Sequence, residues 1–154
     1  METISLVQIG VVNNAILTPQ DDHWGGIMSE LVFDASQFTE ASLLGMEEFS
    51  HVELIFLMHL VDPGRIPLGA RHPRNLTHLP EVGILAQRPK ARPNRLGLSR
   101  CELVQRAGLT LTVKGLDAIN GSPILDIKPY FQEFAPRGDI RQPDWTKEIM
   151  ANYY

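Results

Sequence analysis

The first 64 residues contain no lysine and no arginine, although they carry ten carboxylates. An N-terminus without a basic region or a long apolar stretch does not read as a secretory signal. The longest apolar run, Leu54 to Met58, is far short of the roughly 20 residues that a membrane-spanning helix needs. These absences predict a soluble, cytoplasmic protein. Cys101 is the only cysteine, which excludes an internal disulfide and a cysteine-based metal site. No GxSxG elbow, phosphate-binding Walker loop or GxGxxG fingerprint occurs, so a hydrolase elbow and a dinucleotide site of the Rossmann type are unsupported. Internal repeats and low-complexity segments are also missing. A chain of 154 residues, 44% hydrophobic and 21% charged, has the size and composition of one globular domain.

The missing cations are concentrated in the middle. Residues 65–106 hold nine lysines and arginines against two carboxylates, Glu81 and Glu102. Such a block attracts anionic partners, nucleic acid included. The alternative is that folding brings the acidic N-terminal third against it. Within the block, residues 84–102 place Arg88, Lys90, Arg92, Arg95 and Arg100 around Pro89 and Pro93. Each proline fixes its own φ and pushes the residue before it into extended backbone. The segment is therefore stiff and kinked, and its guanidinium forks suit a carboxylate, phosphate or nucleotide. A solvated surface loop is the competing reading.

Hydropathy and turn signals predict short strands at residues 4–12, 27–33, 50–61, 82–87, 98–107, 109–114 and 124–127. Gly108 marks a hairpin and Asn120-Gly121 a tight turn. Residues 36–44 have a helical period, with Gly45 as a stop. Residues 62–80 read as a long loop, and a short helix follows Pro143 with Asp144 as N-cap. The expected fold is mainly β: a single β-barrel domain over residues 1–154 with one or two short helices, a sandwich being the other all-β solution.

His51 and His59 lie eight residues apart, on one face of a strand and too far apart to share a metal without a bend. His72 and His78 lack the carboxylate spacing of a ligand set; no metal is expected. Asp126 and Lys128, two apart on a strand, face one way, either as a plain salt pair or as opposite charges facing a pocket. Tyr130 follows a rigid Pro129. A carboxylate beside a lysine stays ionised and can accept a proton.

RPNRLGLSRCEL (residues 92–103) followed by NGSPILDIKPY (residues 120–130), with SHVELIFLMH (residues 50–59) upstream, resembles the TsaA/TrmO family. Its pattern is close to RPNPIGLS, then a DGTP turn, then LDIKPY, and the likeness covers most of residues 6–135. Arg95 stands where the family usually has proline. Members are S-adenosylmethionine-dependent methyltransferases with a β-barrel, and characterised ones N6-methylate threonylcarbamoyladenosine at position 37 of tRNA. The resemblance implies S-adenosyl-L-methionine as cofactor. It implies cofactor contacts at Asp22, His23 and Trp24, at His59 and Leu60, at Arg88 and Leu98, and at the turn Ile119, Asn120, Gly121 and Ser122. It also implies a homodimer, and tRNA engaged through the basic segment 65–106.

Several of these positions make physical sense. Arg88 or Arg92 can hold the cofactor's carboxylate, Trp24 or an acidic neighbour can face its sulfonium, and a side-chain-poor Asn-Gly turn admits an adenine edge. Asp126 or Tyr130 would manage the acceptor's proton, with Lys128 orienting Asp126. A cofactor-binding sensor, or a methyltransferase with a non-tRNA acceptor, is the alternative function.

Overall fold

The computed structural model describes residues 2–154. It contains eight strands: β1 Gly10–Asn13, β2 Met28–Phe33, β3 His51–Leu57, β4 Ala70–Arg71, β5 Val82–Gly83, β6 Leu96–Ala107, β7 Thr110–Lys114 and β8 Pro123–Pro129. One α-helix, α1, covers Trp145–Met150. Six strands close into an antiparallel barrel in the order β1-β2-β7-β6-β3-β8, with β8 returning to β1. β4 and β5 form a separate two-stranded ribbon. The expected mainly-β barrel with little helix is what the chain forms.

Period-two alternation builds the core. Val52, Leu54 and Phe56 of β3 point inward, as do Leu31 and Phe33 of β2, Leu111 and Val113 of β7, Val12 and Ile124. Closure leaves the barrel strands no free edge, which removes the usual liability of exposed strand backbone. β6 is long enough to pair β3 with residues 96–102 and β7 with residues 102–107. Register shifts at Ile55/Phe56 and Leu103/Gln105 bend the strands around the barrel. Gly97 faces inward because nothing larger fits: a Cβ there would lie 2.2 Å from Cζ of Phe56.

Four local expectations differ from the structure. The first strand is confined to Gly10–Asn13, and Ile4, Leu6 and Val7 are exposed. β-branched composition makes a strand only where a partner strand is available. The helical period at 36–44 resolves into two short 3-10 turns, Glu40–Leu43 and Met46–Glu48, parted by Gly45 at φ 84. The strand expected at 82–87 stops at Gly83 and tightens into a turn over Ile84–Ala86. Asp144 precedes α1, but its side chain pairs with Lys147 at 3.0 Å instead of capping a backbone amide.

Candidate functional site

The acidic N-terminal third does fold against part of the cationic block. Arg74 grips Asp22 with both terminal nitrogens at 2.8 Å, Lys90 meets Asp21 at 2.9 Å and Arg100 meets Glu53 at 2.6 Å. Arg106 lies 3.4 Å from Glu47, and Arg65 lies 3.4 Å from Asp62. Among the described residues, Arg71, Arg88, Arg92 and Arg95 have no carboxylate partner. Three of these four, Arg71, Arg88 and Arg92, line one cleft of about 910 Å³. The cleft lies between the barrel and the loops around residues 19–24, 85–92 and 117–122, and the segment 145–154 contributes to its wall. Six basic side chains face three carboxylates in its lining, a cationic surplus suited to an anionic ligand group.

The arginine segment is held by its own polar contacts. The Gln87 side-chain amide donates to the carbonyls of Arg71 at 2.9 Å and Val82 at 2.7 Å, fastening the segment to the β4–β5 ribbon. Arg92 donates to the Gln87 carbonyl at 2.5 Å, and Arg88 to that of Leu98 at 3.2 Å. Arg95 has φ 53, a left-handed conformation that proline cannot adopt, and donates to the Val61 carbonyl at 3.1 Å. Arg95 thereby ties the start of β6 to the segment that follows β3.

Several residues singled out by sequence meet in this cleft. Trp24, Leu60, Arg88, Leu98, Ile119 and Ser122 all line it. Gly121, at φ 78, lies against His59: a Cβ there would be 3.7 Å from His59 Nε2. His59 Nδ1 is buried without a partner. Asn120 braces the turn, accepting from the Asn14 amide at 3.1 Å. Asp22 is committed to Arg74, whose guanidinium holds its carboxyl below the usual range. His23, at φ 66, presents its amide to Asn152 O at 2.8 Å, and Trp24 donates to Tyr153 O at 2.7 Å.

Asp126, Lys128 and Tyr130 are not among the cleft's lining residues. Asp126 and Lys128 bond to each other on β8, and Arg100 covers the Tyr130 ring at 3.9 Å. The Lys128 and Asp126 side chains are 60% and 43% exposed. Among the described residues, no group of three or more His, Cys, Asp or Glu is placed to hold a metal ion, and no helix is long and apolar enough to cross a membrane.

The polar residues of the cleft that sequence reasoning missed include Arg71, Ser99, Asp117 and Tyr153. Ser99 Oγ, Arg71 Nε and Asp117 Oδ1 are buried with no hydrogen-bond partner. Ser99 had a legible signal. It sits between Gly97 and Cys101 on the inward face of an alternating strand, and a polar residue on such a face calls for a partner. Asp117 acts electrostatically on its neighbours. Burial pushes the Cys101 thiol up to about 12, and the Asp117 charge adds to the shift. Tyr153, whose phenol donates to Asp117, is likewise raised, by burial first and Asp117 second, while Arg88 opposes the shift.

A family model for the tRNA-methyltransferase O N-terminal domain matches residues 14–135. The chain belongs to this TrmO family. A relative in Methanothermobacter thermautotrophicus, named a probable S-adenosyl-L-methionine-binding protein, is 34% identical, with 88% of this chain and 96% of that protein covered. One in Pyrococcus abyssi with the same kind of name is 33% identical, over 86% of this chain and 71% of the other. The human tRNA (adenine(37)-N6)-methyltransferase is 34% identical over 68% of this chain, but only 23% of the human protein is covered. A crystal structure of TrmO from Pseudomonas aeruginosa superposes with a TM-score of 0.74 at 27% identity, covering 94% of this chain and 62% of that one. The TrmO barrel accordingly accounts for nearly all of this chain, while the chain spans under two thirds of that solved structure.

Proposed function

We propose that this TrmO-family chain is an S-adenosylmethionine-dependent methyltransferase whose acceptor is N6 of adenine 37 in tRNA, in its threonylcarbamoyl form. The observation that carries the reading is the cleft. Arg88 from the stiff basic segment and Ile119 and Ser122 from the Asn-Gly turn, far apart in sequence, line the same 910 Å³ space. That volume lies in the usual range for small-molecule sites and accommodates a nucleoside with room for an acceptor beside it.

The residues fit the cofactor chemically. Arg71, Arg88 and Arg92 have guanidinium groups without carboxylate partners to receive its carboxylate. Trp24 is buried to 3% exposure at the wall and offers a ring to a sulfonium cation. The unpartnered Ser99 and Asp117 oxygens call for donors of the kind a nucleoside carries. Leu60 and Leu98 add apolar wall, and His59, Asn120 and Gly121 shape the turn; Asp22 and His23 support the site indirectly, through Arg74 and the backbone. When bound, the cofactor supplies an electrophilic methyl group. The chain's part is to orient donor and acceptor and to exclude water, and positioning of this kind supplies much of a methyl transfer rate.

Calorimetric titration with S-adenosylmethionine and S-adenosylhomocysteine tests the cofactor; no heat with either removes the reading. Transfer of labelled methyl to tRNA that lacks the modification tests the acceptor, and binding to tRNA is expected to weaken steeply with salt. Cofactor binding without turnover on any tRNA pool would favour a sensor or another acceptor. The reading also implies a cytoplasmic protein and a homodimer. Leu96 and Leu98, exposed at 37% and 52% at the cleft wall, are apolar surface that a second copy would cover; sedimentation velocity decides the oligomeric state.

A further inference from the structure

The cleft is walled by the chain's own residues 145–154, whose hold is slight. Helix α1 has only six residues, none of them buried, and a helix that short has little stability of its own. Four polar contacts fasten the segment: His23 N to Asn152 O at 2.8 Å, Trp24 N to Tyr153 O at 2.7 Å, His78 to Glu148 at 2.6 Å, and the Tyr153 phenol to Asp117. The phenol occupies one oxygen of a carboxylate whose other oxygen is buried and unpaired. Ser99, 3% exposed, leaves its hydroxyl unpaired in the same cleft. Buried polar groups are normally satisfied, so this arrangement leaves the cleft short of hydrogen-bonding partners.

We propose that Asp117 anchors an N–H or O–H donor of an adenosine and that Tyr153 is its exchangeable occupant, so that residues 145–154 form a plug which the ligand displaces. This rests on the nucleoside reading given above. A tyrosine is a fitting stand-in, because it presents a flat ring with a hydroxyl donor, as adenosine presents a flat base with amine and hydroxyl donors. Burial and the Asp117 charge both keep the phenol protonated, so it remains a donor. The plug also takes up the backbone amides of His23 and Trp24. Its departure frees those amides together with the carboxylate.

Both the cofactor and the acceptor carry an adenosine, and two titrations separate them. One adds S-adenosylhomocysteine to the full chain; the other adds adenosine to the S-adenosylhomocysteine-saturated chain. Tyr153→Phe keeps the ring but loses the hydrogen bond that holds the plug. A bond of that kind is worth about a factor of ten in population, so apparent affinity in one of the two titrations is expected to rise about five- to tenfold. Adding Asp117→Asn to that variant is expected to lose at least about tenfold, since the ligand then lacks its charged acceptor. Gly25→Ala is the independent variant: its Cβ would stand 2.7 Å from the carbonyl carbon of Tyr154, forcing the plug away without touching Asp117, and it too is expected to tighten binding. Unchanged or weaker binding by both Tyr153→Phe and Gly25→Ala overturns the plug. No loss on adding Asp117→Asn overturns the anchor. Absence of heat in every variant overturns the nucleoside reading along with it, whereas binding that neither Tyr153→Phe nor Gly25→Ala tightens overturns the plug alone.

Discussion

Gly97→Ala is the sharpest test of how the barrel is packed. The new Cβ would lie 2.2 Å from Cζ and 2.5 Å from both Cε atoms of Phe56. Carbon atoms prefer separations of about 3.5–4.0 Å, so the ring must retreat by more than about 1 Å. Phe56 is 2% exposed in a close-packed core, so its ring can yield only toward the cleft that it lines. Overpacking of this kind costs about 1–3 kcal/mol, and the directness of the clash argues for the upper half of that range. For a chain of this size, each kcal/mol lowers Tm by about 2–4 °C, so the expected fall is about 4–12 °C. Differential scanning calorimetry measures it, and Phe56→Leu in the Gly97→Ala background is expected to recover part of the loss, because the two residues touch. A Gly97→Ala protein that melts within about 1 °C of the parent would refute the packing argument. Phe56 also lines the cleft, so S-adenosylhomocysteine affinity is expected to fall with stability and to return with the double variant.

Arg88→Ala is expected to weaken S-adenosylhomocysteine binding about ten- to a hundredfold, the worth of a charge-assisted bond, with little change in Tm; unaltered calorimetric affinity would remove Arg88 from the site. Asp126→Asn is expected to leave that affinity unchanged, since Asp126 pairs with Lys128 outside the cleft; weaker binding would show that β8 reaches the ligand. Asp22 gives a pH prediction. Its carboxyl titrates below the ordinary value of 3.8 in the folded chain because Arg74 bonds to the ionised form. The stability it adds is therefore fully present above that ordinary value and is lost as pH falls through the lower folded value. Acid melts should show Asp22→Asn losing less stability than the parent as pH falls below about 4, and parallel curves would contradict the ion pair's role.

Alternation of apolar residues made the barrel legible, because β2, β3, β6 and β7 each bury one face and pair with a neighbour. The same signal overran at residues 4–8, which form no strand. The helix at 36–44 misled for a related reason: a period of three to four is shared by 3-10 turns, and Gly45 cut the segment before an α-helix could propagate. Within the site, Arg88 and the 119–122 turn could be paired from sequence because two motifs flagged them. The grip of Arg74 on Asp22, 52 residues away, could not, nor could that of Tyr153 on Asp117, 36 residues away. Neither pair leaves a local pattern, since each exists only through the folded path of the chain. The charge block was informative only after subtraction, once folding had shown which arginines were already neutralised.

The strand order also bears on how the molecule comes to be made. β8 seals both β1 and β3, yet it emerges from the ribosome after all the other strands. Until it arrives, two strand edges stand open and ready to pair with the wrong neighbour. Most of the pairings are distant in sequence, a topology that folds slowly. Substitutions in residues 123–129 are therefore expected to be felt first as poor yield and aggregation during synthesis, before any fault in the finished protein can be measured.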